Sequence, residues 1–532
     1  MRRWNGWGDD TTDFEVPQAA SEYLAKLIGP ATPPNKISLE EIMAMVPASR
    51  LPEHRLVSTD REERVRHCAG QSMSDWIYFR GGLVPTFPDG VAFPESDNEV
   101  REILCFAKEI EALVIPYGGG TSVVGHLTVP KGEQSVITVD MGRMNKLLEL
   151  DKQGCLATFQ AGVRGPDLEA ALRAKGFTLG HSPQSFELST LGGWVVTRSA
   201  GHFSMGYGRI ERLFIGGEME TPVGTVKIPA FPASAAGPDL REFIMGSEGR
   251  LGIVTKCTVK VTALPEAEIF PAAFFPGREE GVAAVRALAQ ARIPLSMIRL
   301  SLPEETTITL SLKHGWQMDF LYRWLAWHGI KEQKTMLLYG ATGTQKSVNW
   351  SLRRAKEIIK EHHGVYVGTS VGKHWYKSRF QLPYIRNNLW DLGYAVDTLE
   401  TAVPWNKATV TRIAIEEDLR NVLNGVNEKV HVFTHLSHLS HVYPHGTSLY
   451  VTYLFRLADS PSGTMSRWQV LKKAACEAIV RTGATITHQH GVGIDHQPYL
   501  VAEKGALGME MISSLCRTLD PEGMMNPGKL IK

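Results

Sequence analysis

Residues 115–127 read IPYGGGTSVVGHL: an apolar run, then three consecutive glycines, Gly118, Gly119 and Gly120, then two hydroxyl side chains, Thr121 and Ser122. Glycine reaches backbone angles closed to other residues and lets the main chain approach a ligand closely, so successive N–H groups can converge on a phosphate. The dinucleotide fingerprint GxGxxG fails here, because Val123 stands three residues past Gly120, and a Rossmann NAD site is disfavoured. By themselves the glycines describe a tight strand-to-loop turn equally well.

Two later stretches point to a ligand. SPQSFELSTLGGWVVTRSAG carries Ser185, Ser189 and Thr190 as compact donors, then Gly192 and Gly193, then Ser199, Ala200 and Gly201. Small residues over such a length leave room for something flat or extended against the backbone. REFIMGSEGRLGIVTKCTV sets Gly246, Ser247, Glu248, Gly249 and Gly252 directly before a strand that opens at Ile253. With Pro116 ahead of the first glycines, these three stretches are the candidate cofactor contacts.

The chain has 532 residues, which predicts two or three domains. Its 57 basic and 56 acidic side chains leave a net charge of +1, which removes the field of a dedicated nucleic-acid binder and favours a small-molecule or lipid substrate. The six cysteines lie far apart without a CxxC pair, so neither a zinc knuckle nor a disulfide scaffold is indicated. No apolar run is long enough for a membrane span, and MRRWNGWGDDTTDF lacks the apolar core of a secretion signal. The expected setting is cytoplasmic and reduced, with docking on a membrane face as a further option.

Texture divides the chain into an arm over 1–90, a strand-and-helix body over 91–265, a mixed region over 266–505 and a turn-rich tail over 506–532. The STDREERVRH switch of charges predicts a surface helix. Ser96 and Asp97 open an amphipathic helix, ALVIPY is a strand running into the glycines, and GPDLEAALRAKG is a second helix.

The three small-residue stretches, in this order, resemble the flavin-binding domain of the vanillyl-alcohol oxidase type family. The resemblance implies an α+β fold: a two-subdomain FAD-binding domain, an α+β cap over the flavin, and a tail, DPEGMMNPGK, returning to the FAD domain. The first loop would cradle the FAD pyrophosphate; the other two would lie along the ribityl chain and the ring. No compelling His or Cys for a covalent link is visible, so the FAD is expected to be non-covalent. RWNGWGDDTTDF, LPYIRNNLWDLGYAVDTLETAVPW, GTSLYVTYLF and THQHGVG are similar, in order and spacing, to the alkyldihydroxyacetonephosphate synthase branch. That branch exchanges the acyl group of acyl-dihydroxyacetone phosphate for a fatty alcohol, through an adduct at flavin N5 and without net redox change. The implied protein is a transferase of ether lipid synthesis and a homodimer.

The same resemblance assigns site residues. Arg386 in YIR matches the branch's active-site arginine, Arg299 in MIRL another arginine near the flavin, and Tyr450 in SLYVTY its active-site tyrosine. A guanidinium suits bidentate capture of a carboxylate or phosphate. His488 and His490 stand where the family writes three histidines in a row, the residue type suited to a proton shuttle near neutrality. Gln489 takes the middle position, and an amide does not titrate, so the shuttle falls to His488, His490 or another group. This departure motivates the alternative, FAD-dependent oxidation of a 2-hydroxy acid of the D-lactate or D-2-hydroxyglutarate type. Structural ion pairing for the arginines and strand packing for Tyr450 are the bland readings.

His431, His435, His438, His441 and His445 crowd fifteen residues and raise a metal hypothesis. Counted against the GHxGDGNxH and EHG motifs of related 2-hydroxy-acid dehydrogenases, His441 keeps the first ligand, while Tyr450 and Gln489 replace the other two. The expectation is a polar wall without a metal. Trp316, Phe320, Trp324 and Trp327 recur at helical spacing, which predicts a core-facing stripe, or in a lipid enzyme the border of a tunnel or a membrane contact. The chain opens at the WNGWG region without room for an upstream import signal, and KLIK is not a peroxisomal address, so a bacterial cytoplasm is the expected location.

Overall fold

Short apolar runs pair side by side to make the first layer of the FAD half. In the computed structural model, residues 2–12, 14, 18–83, 86–311, 316–423, 429–436 and 441–531 are described. Strands β1 (Val57–Ser58), β2 (Gly90–Ala92), β3 (Leu113–Tyr117) and β4 (Val136–Asp140) form a sheet in the order β1-β2-β4-β3, parallel except for β1. Helix α1 (Met73–Gly81) precedes β2, and α2 (Asp97–Glu109) crosses from β2 to β3. The Ser96 hydroxyl caps α2 by accepting the Glu99 amide, and Val100, Ile103, Leu104 and Ala107 bury one stripe of it against the sheet. The helix expected on the surface at STDREERVRH forms over Arg61–Arg66 but buries Arg64, whose guanidinium donates to the Pro47 and Pro88 carbonyls.

The second layer is an antiparallel sheet of β5 (Leu147–Asp151), β6 (Leu156–Gln160), β7 (Phe214–Thr221), β8 (Gly224–Ile228) and β9 (Ile253–Lys260), in the order β5-β6-β9-β7-β8. Phe159, Phe214 and Cys257 on its inner face pack with Trp194 of α3 (Leu191–Thr197).

The cap is built on two further sheets. One contains β10 (Ala267–Ile269), β11 (Ala272–Phe275), β12 (Met297–Ser301), β13 (Thr335–Gly343) and β14 (Val365–Tyr366). Against its end lies α4 (Trp316–Trp327), where the aromatic stripe divides. Phe320 is 66% and Trp327 83% exposed, while Trp324 packs inward; the Trp316 side chain lies outside the described residues. The core stripe runs instead through Met318, Leu321, Tyr322 and Leu325, whose i, i+3, i+4, i+7 spacing points to the sheet and turns two of the aromatic rings outward.

Helix α5 (Leu382–Asp391) leads into the other cap sheet, β15 (Tyr394–Pro404), β16 (His431–Leu436), β17 (Val442–Tyr443) and β18 (Gly446–Arg456). The full-length β15–β18 register pairs Thr398 with Thr452 and Glu400 with Tyr450 on one face, and Asp397 with Tyr453 on the other. The second face packs on α6 (Ala408–Asn421) and α7 (Pro461–Arg481) through Leu399, Val451 and Phe455. After α8 (Leu500–Leu519) the tail returns to the FAD half. There Val114 of β3 donates to the Met524 carbonyl at 2.9 Å, and Asn526 donates to the Val114 carbonyl at 2.8 Å.

Candidate active site

One cavity, of about 360 Å³, lies between the three glycine-rich stretches and the Thr398–Tyr450 face of the cap. Its first wall is Pro116, the triple-glycine loop, Thr121 and Ser122. A Cβ on Gly118 would strike the Thr190 hydroxyl and one on Gly119 the Leu188 carbonyl, so only glycine lets these two loops touch.

In the second stretch Ser185, Ser189, Thr190, Gly192, Gly193 and Ser199 line the cavity. The Ser189 hydroxyl donates to the Ser185 carbonyl at 2.9 Å and accepts from Trp194 Nε1 at 2.7 Å, so its hydrogen is committed to the fold. Gly201 stands apart, packed on the Ser182 backbone with its amide donating to Ser204 Oγ. From the third stretch Glu248, Gly249, Gly252 and Ile253 line the cavity. Glu248 adopts a left-handed backbone, φ 54°, and its carboxylate accepts the amides of Val492 at 2.5 Å and Gly493 at 2.8 Å. It therefore clamps the loop to the later segment that carries His490.

The opposite wall brings Arg386, Tyr450, Gln489 and His490 to the same space. Arg386 stacks over Trp76 at 4.2 Å and donates from Nε to the Val396 carbonyl and from Nη1 to the Gln71 carbonyl. Its buried Nη2 meets no acceptor among the described residues. Burial lowers this guanidinium to about 10, which leaves it charged at neutral pH. Burial lowers His490 to about 4, so the imidazole is neutral, with Nδ1 unpartnered among the described residues. Its ring stands 5.9 Å from that of Tyr450, whose phenol is pushed above its ordinary range by burial and stays protonated.

Behind this wall Asp397 accepts from Tyr453 at 2.7 Å and Trp468 at 2.8 Å, and Lys472 lies 3.9 Å from both Asp397 and Asp495. The Asp397 carboxylate partly offsets the burial of the Arg386 charge.

Two sequence models match the chain: "FAD binding domain" over residues 88–228 and "FAD linked oxidases, C-terminal domain" over 264–530. The chain belongs to the FAD-linked oxidase family. Alkyldihydroxyacetonephosphate synthase of Dictyostelium discoideum is 31% identical over 99% of this chain and 93% of its own. A solved alkyldihydroxyacetonephosphate synthase superposes with a TM-score of 0.85 at 27% identity, covering 99% and 98%. The fold alone extends to p-cresol methylhydroxylase, TM-score 0.68 at 15% identity over 89% and 93%.

The cofactor of this FAD-linked family member is FAD, and the cavity fits it. The loops touch only because glycines occupy positions 118 and 119, and Arg386 and His490, which line the space, each keep a buried nitrogen without a partner among the described residues. Ala200, Gly246 and Ser247 of the small-residue stretches do not line that space, and three further residues singled out from the sequence stand outside it. Arg299, on β12, donates from Nη2 to Glu305 at 2.7 Å and does not line the cavity. Gly201 is the second. His488 is the third: residues 488–490 form a bend rather than a strand, and His488 borders a larger cleft shared with His441 and Tyr443.

Glu400, His441 and His488, all buried, hold ligand-type atoms within 4.8 Å of one another. His488 Nε2 lies 3.0 Å from the Arg209 guanidinium and 2.7 Å from the Tyr443 hydroxyl, which makes it an acceptor and leaves the ring hydrogen on Nδ1, 3.1 Å from Glu400. A fixed cation and a His–Glu contact thus occupy this corner. His438 and the side chain of His435 lie outside the described residues. His441 borders the larger cleft and Tyr450 the FAD cavity, so the superfamily's metal positions face different spaces here.

Sequence reading missed Trp7, His126, Asp397 and Glu400. Trp7, Asp397 and Glu400 lie inside stretches that carried the resemblance, but no local pattern marks them; Glu400 accepts from Gln489 Nε2 at 2.5 Å across 89 residues.

Proposed function

We propose that this protein exchanges the acyl chain of acyl-dihydroxyacetone phosphate for a fatty alcohol, as the name of its full-length relatives suggests. The observation that carries the reading is the meeting of neutral His490, protonated Tyr450 and the unpartnered Nη2 of Arg386 opposite the glycine cradle. When bound, non-covalent FAD supplies an electron-accepting ring that makes the substrate carbon exchangeable without net oxidation. The carbon–oxygen bond to the carboxylate breaks, one to the alcohol forms, and the alcohol's proton leaves with the fatty acid. His490 is placed to take the proton from carbon and return it once the ether bond has formed, and to pass the alcohol's proton to the departing carboxylate. Arg386 offers a charged N–H to the departing carboxylate or the phosphate. Tyr450 stays a donor throughout and orients the oxygen it faces.

Incubation with acyl-dihydroxyacetone phosphate and labelled hexadecanol tests this. Labelled ether lipid is the expected product, and its absence from fully flavinated protein rejects the reading. The same groups would hold a 2-hydroxy acid, carboxylate on Arg386 and hydroxyl on His490, so anaerobic bleaching of the flavin by D-lactate would instead favour oxidation.

The proposal includes a cytoplasmic homodimer in peripheral contact with membrane. The described residues contain no helix long and apolar enough to cross a bilayer, and exposed Phe320 and Trp327 present aromatic rings suited to an interface. Light scattering reads the dimer, vesicle sedimentation the membrane contact, and release of yellow colour on acid precipitation the non-covalent flavin.

A further inference from the structure

Ser122, His126 and Glu248 stand in series beside the triple-glycine loop. Ser122 Oγ lies 2.8 Å from His126 Nδ1, and His126 Nε2 lies 3.0 Å from Glu248 Oε2. His126 and Glu248 are buried, and all three line the FAD cavity. Because the Glu248 carboxylate already accepts two backbone amides, it is fixed as an acceptor. His126 Nε2 makes no aligned hydrogen bond, but at 3.0 Å from a carboxylate oxygen it carries the ring hydrogen, since a bare Nε2 would set two lone pairs against each other.

The state of Nδ1 then decides what Ser122 can do. A hydroxyl has one hydrogen and two lone pairs, and one lone pair already accepts the His126 amide at 3.2 Å. With a neutral imidazole, Nδ1 is an acceptor and takes the Ser122 hydrogen, which leaves only one oxygen lone pair for the cavity. With hydrogens on both nitrogens, Nδ1–H fills the second lone pair and the Ser122 hydrogen turns outward. An anion beside Ser122 selects the second state.

We propose that a diphosphate binding at the triple-glycine loop takes up one proton, held by His126 between Ser122 and Glu248, so that cofactor affinity is linked to pH. Glu248 and His126 are positioning residues: they act through Ser122. The inference rests on FAD as the cofactor and is independent of the ether-lipid reaction. Asp495 follows the Gly493 amide that binds Glu248 and also faces His126; Thr128 donates to Asp75, while Lys529 donates to the Thr128 carbonyl. Arg2 approaches the loop from the far side, donating to the Gly120 carbonyl. None of these four touches the Ser122 hydroxyl, so they set the pH at which the proton is taken up but do not replace His126.

Calorimetric titration of the flavin-free full chain with FAD, in buffers of different ionisation enthalpy, counts the protons. Between about pH 6 and 9 the affinity of the wild type is expected to fall, approaching about tenfold per pH unit where one full proton is taken up. His126→Gln and Ser122→Ala are expected to bind FAD with a flat profile and no uptake, and riboflavin, which lacks the diphosphate, shows none with the wild type. A flat profile in the wild type, or uptake that survives in both variants, overturns the proposal. Should the flavin-free chain not persist, the release rate of FAD from diluted holoprotein, read as rising flavin fluorescence, carries the same test: it steepens with pH in the wild type and stays level in His126→Gln, and a level wild-type profile refutes the linkage.

Discussion

Replacing Arg386 by lysine keeps a charge but loses the planar group that stacks on Trp76, donates to Val396 and Gln71 and keeps Nη2 without a partner among the described residues. Steady-state assay of Arg386→Lys is expected to show kcat/KM reduced by about 10²–10³, the scale of losing one charged donor to a developing anion, with the flavin spectrum unchanged. His490→Asn should lower turnover by about 10²–10⁴. The sign of the pH effect follows from the imidazole having to be neutral: wild-type activity holds above about 4 and falls as pH drops through that value. The residual activity of His490→Asn loses this acid limb. Arg386, Tyr450 and His490 were legible because they lie in stretches whose order matches the family. Lys472 was not: it is one basic residue on a helix, and its partners Asp397 and Asp495 arrive from other elements. His488 shares its motif with His490 but borders another cleft, and Arg299 sits on a cap strand none of whose residues lines the cavity; sequence adjacency reveals neither.

At the level of elements, the glycine stretches were readable because each small residue is demanded where two loops touch. Gly119→Ala forces the first loop away from the Leu188 carbonyl. FAD affinity measured by fluorescence quenching should fall at least about tenfold, a cost of about 1.4 kcal/mol, while far-UV circular dichroism keeps its wild-type shape. The role of Glu248 was hidden, since it joins its loop to amides 244 and 245 residues away. On α4 the reading took aromatic rings for the buried face, whereas the aliphatic stripe through Met318, Leu321 and Leu325 packs inward. The exposed ring pair is the testable remainder: a Phe320→Ser, Trp327→Ser double variant should sediment less with anionic vesicles and keep its turnover on detergent-dispersed substrate.

Across the whole molecule, titratable side chains are buried in both the cap and the FAD half, and this makes stability depend on pH in a definable direction. Burial holds His181 at about 3, His431 and His490 at about 4, and His202, His441, His488 and His496 well below their ordinary value. Between these values and the ordinary histidine range near 6.5, the unfolded chain binds protons that the folded chain refuses. Stability from these groups is therefore present above about 6.5 and is lost as pH falls toward 4. Two buried carboxylates act the other way: burial raises Asp75 and brings Asp495 to about 7, so the folded chain holds protons there that the unfolded chain has released. Seven imidazoles oppose two carboxylic acids, and the imidazoles prevail. Thermal melts should shift downward as pH is lowered from 7 to 5, and His441→Phe, which removes one buried imidazole, should make that decline shallower. A melting temperature that rises on acidification would show that these histidines are protonated within the fold.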